Sequence, residues 1–349
     1  MEALLDGRIS SPDIVTTKNW ARKFCNPAYN LGKSFFQTFL DESMLFSVAY
    51  YGNGATNLEQ AQTHKMDLSA KQMKLKPGMR ILDLGCGFGG LRKYLSSKYH
   101  VSVVGVTNSR EMAVAARDNC YGLNVEIRDM DWRDLDETEQ FDRVVGIEVM
   151  FHCGRHNMDT LFKKIHQCLK PEGICVIQDF SCKPGCPNNF VTLQTYWFPG
   201  FYIFHKYQVL SVAERYFRTD CVLDMTDDIV KTCADILKNL EKSKNSGDWM
   251  FEENLYTIYK LFFLCAEPVV KSGMFNAYQI TLKKSDKSCP TVDQYNLNDT
   301  FLRRNGCNDS EASPYLLEYL NLGLKLRISV QLSETMDCVI NSYIRGFIY

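Results

Sequence analysis

A glycine-rich segment carries the residue types that bind a small ligand bearing both positive and negative charge. Its sequence is Asp83-Leu-Gly-Cys-Gly-Phe-Gly-Gly, ending at Gly90. Gly85 and Gly87 let the backbone pass close to a ligand, and the start of a following helix offers free N–H groups to a carboxylate or phosphate. Asp83 suits an ammonium group. The segment therefore predicts a ligand site between a strand and a helix.

The glycine spacing is GxGxGG, whereas dinucleotide sites show GxGxxG. S-adenosylmethionine (SAM) fits this segment, because its methionine moiety presents an ammonium and a carboxylate. We predict that Asp83 organises the ammonium side and that the loop N–H groups bind the carboxylate. The alternative is a tight turn without a ligand.

Acid and base side chains follow two later strand patterns. His152, Glu148 and Asp179 are the candidate catalytic residues, and His205 is a further candidate proton acceptor. His152 is favoured because open sheets bind ligands beyond the carboxyl ends of their strands. The structural alternatives are a structural histidine, a strand-end glutamate and an aspartate that caps the next turn.

An aromatic block between residues 196 and 207 predicts an acceptor pocket. Aromatic faces attract cations, so such a block suits an ammonium substrate or a carbocation formed from an alkene. The alternative is a hydrophobic lid packed on the sheet. The predicted pocket residues are Tyr196, Trp197, Phe201, His205, Phe151 and Gln178.

Alternating strand and helix patterns position these residues. Strands alternating with helices predict an α/β, doubly wound, Rossmann-like parallel sheet. Ser34–Phe46 is helix-like, residues 185–220 form an insertion typical of a lid, and Phe275–Lys283 is a last strand. The other predicted strands are Met79–Leu84, Val101–Val106, Val125–Asp129, Arg143–Val149 and Gly173–Asp179.

Composition narrows the class of protein. Net charge is -1 over 349 residues, so no global field favours nucleic acid or an anionic membrane. Fourteen cysteines without a CxxC pair indicate buried thiols in a reducing, cytoplasmic setting rather than a disulfide scaffold. No run of ~18 apolar residues predicts a membrane span. A small-molecule substrate and a possible homodimer are expected, and no metal site is predicted.

Several motifs resemble the cyclopropane-fatty-acyl-phospholipid synthase family, which includes mycolic acid methyltransferases and coclaurine-type N-methyltransferases. The similarity covers roughly residues 20–284. The motifs that carry it are Leu75-Lys-Pro-Gly-Met-Arg-Ile-Leu-Asp-Leu-Gly-Cys-Gly-Phe-Gly-Gly-Leu91, Val103-Val-Gly-Val-Thr-Asn-Ser109, Leu169-Lys-Pro-Glu-Gly173, Tyr29-Asn-Leu-Gly32, Leu40-Asp-Glu-Ser-Met44 and Asn57-Leu-Glu-Gln-Ala-Gln62.

The resemblance implies a class I SAM-dependent methyltransferase. It implies that residues 1–70 form a helical segment covering the cofactor, that 71–284 form the core, and that 285–349 are an extension of unknown role. By the same resemblance Ser47 and Gly85 lie near the methionine end, Thr107 with its neighbour Asn108 near the ribose, and Asp131 with Trp132 near the adenine. From the residues themselves, a carboxylate at 131 accepts the adenine N–H and an indole covers a ring face, or Trp132 is core filling. Phe46 replaces the family's tyrosine.

One part of the family pattern is absent. The family implies a bicarbonate that removes a proton after alkene methylation, and its Cys, Glu and His ligands are Val48, Phe151 and Gln178 here. Its tyrosine falls on Phe262 or Leu261. Because such apolar or neutral groups do not hold a buried anion, these substitutions argue against cyclopropanation. We therefore expect methyl transfer to an amine nitrogen, with C-methylation of an alkene in a lipid or isoprenoid and a non-catalytic SAM-binding protein as alternatives.

Overall fold

The structure, a computed structural model, describes residues 16–22, 29–183, 197–198 and 200–285. Its centre is a seven-stranded sheet with the order β3-β2-β1-β4-β5-β7-β6. The first five strands run parallel: β1 (Arg80–Leu84), β2 (Ser102–Thr107), β3 (Val125–Asp129), β4 (Phe141–Ile147) and β5 (Leu169–Cys182). The predicted doubly wound α/β fold is confirmed.

The sheet is apolar on both faces, which is why helices cover both. Neighbouring residues of a strand point to opposite faces. Ile81 packs in one apolar cluster with Leu95 and Val103, whereas Leu82 packs in another with Val104 and Phe162. Apart from the three-residue helix Lys18–Trp20, the α-helices of the described residues are α1 (Lys33–Gln37), α2 (Leu58–Gln72), α3 (Gly90–Tyr99), α4 (Arg110–Asn119), α5 (Met158–Cys168), α6 (Lys206–Ala213), α7 (Thr226–Asn245), α8 (Glu253–Leu264) and α9 (Ala266–Lys271).

Two strands close the sheet at its other edge. β7 (Phe275–Lys284) is antiparallel to β5, and it agrees with the predicted last strand. β6 (Phe217–Asp224) pairs antiparallel with β7 and was not predicted, because its exposed, polar sequence lacks a buried apolar run. The predicted lid of residues 185–220 is wrong at its end, because β6 begins within it. Residues 184–196 lie outside the described part of the chain.

The segment before the sheet is less helical than expected. A helix over Ser34–Phe46 is wrong beyond Gln37, where α1 ends. Asp41 accepts backbone N–H bonds from Ser43 and Leu45, and Met44 adopts φ 56. A left-handed residue and a side chain that competes for backbone donors both stop a helix. Residues 41–49 therefore run as an irregular segment across the glycine loop.

No helix among the described residues is long and apolar enough to cross a membrane.

Candidate cofactor and methyl-transfer site

A cavity opens where β1, β2 and β4 end. Its wall combines the glycine loop, the irregular segment around Phe46 and the turn after β4. Parallel strands place ligands at this edge of an open sheet. Of the residues predicted from sequence, those that line it are Ser47, Asp83, Gly85, Gly87, Thr107, Asn108, Trp132, Glu148 and His152.

The glycine loop has the backbone shape that it needs to cradle a ligand. Gly85 adopts φ 70, and a Cβ there would lie 2.3 Å from the Val149 side chain. At Gly87, which adopts φ 44, no atom lies within 4 Å of that added position, so the loop faces open space. Directly after the loop, the start of α3 offers free backbone N–H groups. This cradle fits the carboxylate of an amino-acid moiety.

Asp83 is engaged within the protein as well as facing the cavity. Its carboxylate forms an ion pair with Arg92, which also donates to the Cys86 carbonyl. Both side chains are almost fully buried, at 1% and 4% exposure. Burial raises the pKa of Asp83, and the Arg92 guanidinium opposes that rise. The pair ties α3 to the end of β1 and so fixes the loop between them.

Gly90 lies in close contact with the backbone of the irregular segment that crosses the glycine loop. Substitution of Gly90 therefore tests that contact. A Cβ at Gly90 would lie 1.9 Å from the Ser43 carbonyl oxygen. Alanine gains about 0.5–1 kcal/mol in helix propensity, but overpacking costs about 1–3 kcal/mol. We expect Gly90→Ala to lower the melting temperature and weaken SAM binding, as measured by thermal unfolding and calorimetry. Ser97→Ala, on the exposed face of α3, is the control, and a Gly90→Ala protein as stable as that control would contradict the contact.

The residues near the predicted adenine end are joined by hydrogen bonds. Both carboxylate oxygens of Asp131 accept bonds from Arg133, and Asn108 donates to one of them at 3.2 Å. These partners lower the pKa of Asp131 although burial raises it. Asp131 does not itself line the cavity. Trp132 packs in the apolar core and also lines the cavity. Its contact with the adenine stays a prediction.

Glu148 is a buried carboxylate held by two donors. Its Oε1 accepts from the Val48 backbone N–H at 2.7 Å and from Gln178 Nε2 at 3.1 Å. Glu148 adopts φ 55, which is uncommon for a residue other than glycine. Burial raises its pKa, while the charge of Lys65 and these hydrogen bonds lower it. Such strain at a cavity wall is typical of functional sites.

An amide ladder sets the direction of the Gln178 donor. Gln279 Nε2 donates to Gln178 Oε1 at 3.2 Å and to Ser69 Oγ at 3.2 Å. With its oxygen occupied in this way, Gln178 presents its NH₂ group to Glu148 and to the Val48 carbonyl. Gln178 is fully buried behind Glu148 and does not line the cavity.

His152 sits among aromatic rings. Its Nε2 lies 2.6 Å from the Tyr29 hydroxyl, and the rings of Phe151 and Phe198 pack against it. Burial lowers the pKa of His152 to about 3, so the imidazole is neutral near pH 7. Its Nδ1 is buried without a partner among the described residues. A neutral imidazole with an unpaired ring nitrogen is suited to a hydrogen bond with a ligand. Its lowered pKa makes it a weak proton acceptor.

Asp179 and His205, the two other candidate catalytic residues, form hydrogen bonds that stabilise the fold. Asp179 accepts the Met150 and Phe180 N–H groups, so it caps the turn after β4 rather than a turn that follows Asp179 in the sequence. Burial and the neighbouring Glu148 raise the pKa of Asp179 well above its usual range. His205 is the N-cap of α6 and accepts from Tyr207. Neither Asp179 nor His205 lines the cavity.

Aromatic residues extend the wall beyond His152. Phe198 contacts Phe151, Phe201 and Phe262, and Trp197 contacts Phe262. Phe151, Trp197 and Phe201 are buried and do not line the cavity, so their predicted role as pocket residues is not supported by its lining. Tyr196 lies outside the described residues. The described part of the aromatic block is therefore a packed wall next to the site.

Three residues that line the cavity were not predicted from the sequence, namely Lys65, Tyr29 and Arg92. Tyr29 belongs to a motif that matched the family, which was a usable signal. Lys65 and Arg92 sit among other polar residues of α2 and α3, where helix surface positions commonly carry lysine and arginine. Only the helix packing decides that these two are buried.

The parallel sheet, the glycine loop after its first strand and the cavity at its carboxyl edge define the fold of the class I SAM-dependent methyltransferases. The sequence profile described as "Mycolic acid cyclopropane synthetase" matches residues 16–280, and the chain belongs to that family. SAM is the cofactor of this family, and its fit rests on the glycine cradle and on the vacant His152 nitrogen.

Curated relatives agree with this assignment. The Escherichia coli (strain K12) "Cyclopropane-fatty-acyl-phospholipid synthase" is 41% identical over 189 residues, covering 54% of this chain. This chain spans about half the length of that relative, 49%. "Cyclopropane mycolic acid synthase 1" of Mycobacterium tuberculosis (strain H37Rv) is 34% identical, covering 73% of this chain and 95% of the relative.

Solved structures match the same region. The mycolic acid cyclopropane synthase CmaA1, complexed with SAH and CTAB, superposes with a TM-score of 0.70 at 26% identity. That match covers 75% of this chain and 98% of the other. A coclaurine N-methyltransferase with a TM-score of 0.63 covers 81% and 93%, and at 19% identity it shows the fold alone.

Proposed function

We propose that the enzyme methylates an alkene carbon of a lipid acyl chain and closes a cyclopropane ring, with Glu148 as proton acceptor. The observation that carries this proposal is the Glu148 carboxylate, held at the cavity wall by Val48 N–H and Gln178. By the resemblance described above, these two positions belong to the family's bicarbonate ligands. A carboxylate of the chain supports the same proton transfer without a bound anion.

This proposal reverses the expectation drawn from the substituted ligands. That expectation assumed that the proton acceptor must be an external anion. Glu148 removes the objection, because a carboxylate fixed by two donors is already in place. The names of the relatives, which include "Probable fatty acid methyltransferase" from Pseudomonas putida at 27% identity, support a lipid acceptor.

The residues divide the chemistry between them. When bound, SAM supplies an electrophilic methyl carbon. The methyl carbon would bond to one alkene carbon as its bond to sulfur broke, and positive charge would then lie on the neighbouring alkene carbon. The aromatic rings of Tyr29 and Phe46, which line the cavity, stabilise that charge. Glu148 accepts a proton from the added methyl group, and the released electron pair forms the last bond of the ring.

Methyl transfer to an amine nitrogen is the second candidate. The same carboxylate and the aromatic faces that line the cavity attract an ammonium group, which is the observation that favours it. It requires the amine to arrive neutral or to lose a proton to Glu148. The two candidates differ in the atom that gains the methyl group, so product analysis separates them.

A single assay tests both. The protein is incubated with methyl-labelled SAM, pooled small amines and vesicles of phospholipid carrying a cis-unsaturated acyl chain. A saturated phospholipid of equal length is the matched control. We expect label in the unsaturated lipid, as a gain of one CH₂ group in its mass spectrum. Label in pooled amines but in neither lipid would overturn the proposal in favour of N-methylation. Tight SAM binding without label anywhere would favour a non-catalytic role.

A further inference from the structure

We propose that Lys65 is a cofactor-binding residue, whose ammonium binds the carboxylate of the SAM methionine moiety. Lys65 lies on α2, lines the cavity and is 2% exposed. This assignment concerns the cofactor end of the site, so it stands whichever acceptor the enzyme uses.

The hydrogen bonding of Lys65 leaves donors for a ligand. An ammonium has three N–H groups. Its only bond within the described chain is to Ser47 Oγ, and it forms no ion pair with any described carboxylate. A buried charge without a counter-ion is costly. The remaining donors at the cavity wall are therefore best matched by an anionic ligand group.

The residues around Lys65 indicate that its ammonium lies at the methionine end of the cofactor site. The ammonium contacts Ser47, which the family resemblance places at that end, and the cavity there also includes Gly85 and Gly87. Because Lys65 only donates, Ser47 accepts from it, and the serine O–H is directed elsewhere. No acceptor for that O–H exists among the described residues, so it is available to the same carboxylate.

The nearby charges keep Lys65 ionised before the ligand binds. Burial lowers the pKa of Lys65 to about 8, while the carboxylates of Glu148 and Asp41 raise it. The group is thus largely protonated at neutral pH. Bound carboxylate adds a closer negative charge and favours the ammonium further.

Two ligands separate this role from a structural one. S-adenosylhomocysteine carries the methionine-type carboxylate, whereas 5′-methylthioadenosine lacks it. We expect Lys65→Met to weaken S-adenosylhomocysteine binding about 10- to 100-fold, the usual effect of one charged hydrogen bond. Binding of 5′-methylthioadenosine should stay unchanged in the same calorimetric titration. Lys71→Met, an exposed position of α2, is the control and should change neither.

An equal loss for both ligands would overturn the proposal, as would no loss for either. If Lys65→Met does not fold, the wild-type protein supplies a second measurement. The preference for S-adenosylhomocysteine over 5′-methylthioadenosine should then decline as the pH rises above about 8, where Lys65 loses its proton. A preference that is independent of pH in this range would contradict the assignment. Neither measurement depends on turnover, so failure of the acceptor proposal leaves this test intact.

Discussion

Replacing Glu148 with glutamine is expected to lower turnover by about 10²- to 10⁴-fold, which is the usual contribution of a general base. Glutamine keeps the shape and an oxygen that accepts from Val48 N–H, but it does not take a proton. The variant should still bind SAM in calorimetry, so the loss of turnover does not reflect an empty cofactor site. Turnover that survives Glu148→Gln would exclude this residue as the proton acceptor.

The pH dependence gives the same prediction an independent check. Burial raises the pKa of Glu148 above its usual range, so the carboxylate is protonated and inactive at low pH. Activity should therefore be low below that raised pKa and should increase as the pH rises through it. This acidic limb should vanish from the residual activity of Glu148→Gln.

Chemical rescue distinguishes a base from a merely structural carboxylate. Glu148→Gly removes the side chain and relieves the φ of 55, leaving the Val48 and Gln178 donors free. Added formate or bicarbonate should bind those donors and restore part of the lost turnover. Neither anion should help Glu148→Gln, whose side chain still fills the space. Absence of rescue in a folded Glu148→Gly protein would argue that the donors do not hold a base.

Replacing Arg92 with methionine is expected to reduce the free energy of unfolding by about 3–5 kcal/mol, because it leaves the Asp83 carboxylate buried and unpaired. Chemical denaturation measures this loss. The double variant Asp83→Asn with Arg92→Met removes both charges and should recover much of the stability. Lys93→Met, at an exposed position of the same helix, is the control. An Arg92→Met protein as stable as that control would show that the pair does not hold the loop.

Local sequence was informative wherever function depends on neighbouring residues. The glycine loop follows β1 within a few positions, so its glycines, Asp83 and the start of α3 were recognisable from spacing alone. The parallel strands were recognisable because burial on both faces demands continuous apolar runs. The edge strand β6 lacks such a run, and the helix expected over Ser34–Phe46 stops where Asp41 competes for backbone donors.

The role of each acid depended on contacts between distant positions. His152 was favoured as the base because it follows a strand, yet its burial among aromatic rings keeps it neutral. Asp179 follows a strand as well, but backbone N–H groups occupy its carboxylate. Residue type and position do not reveal these surroundings. Only the packed structure decides which acid faces the cavity with an available oxygen.

The amino-acid sequence alone determined the fold class, the cofactor and the family, because periodic burial and a short glycine motif are local properties of the chain. The tertiary structure decided which carboxylate lies beside the positions of the missing anion ligands. Glu148 lies 100 positions from Val48 and 30 from Gln178, and only folding brings their donors to its carboxylate. The same holds for Lys65, since burial turns an ordinary helix lysine into a charge that faces the cofactor site.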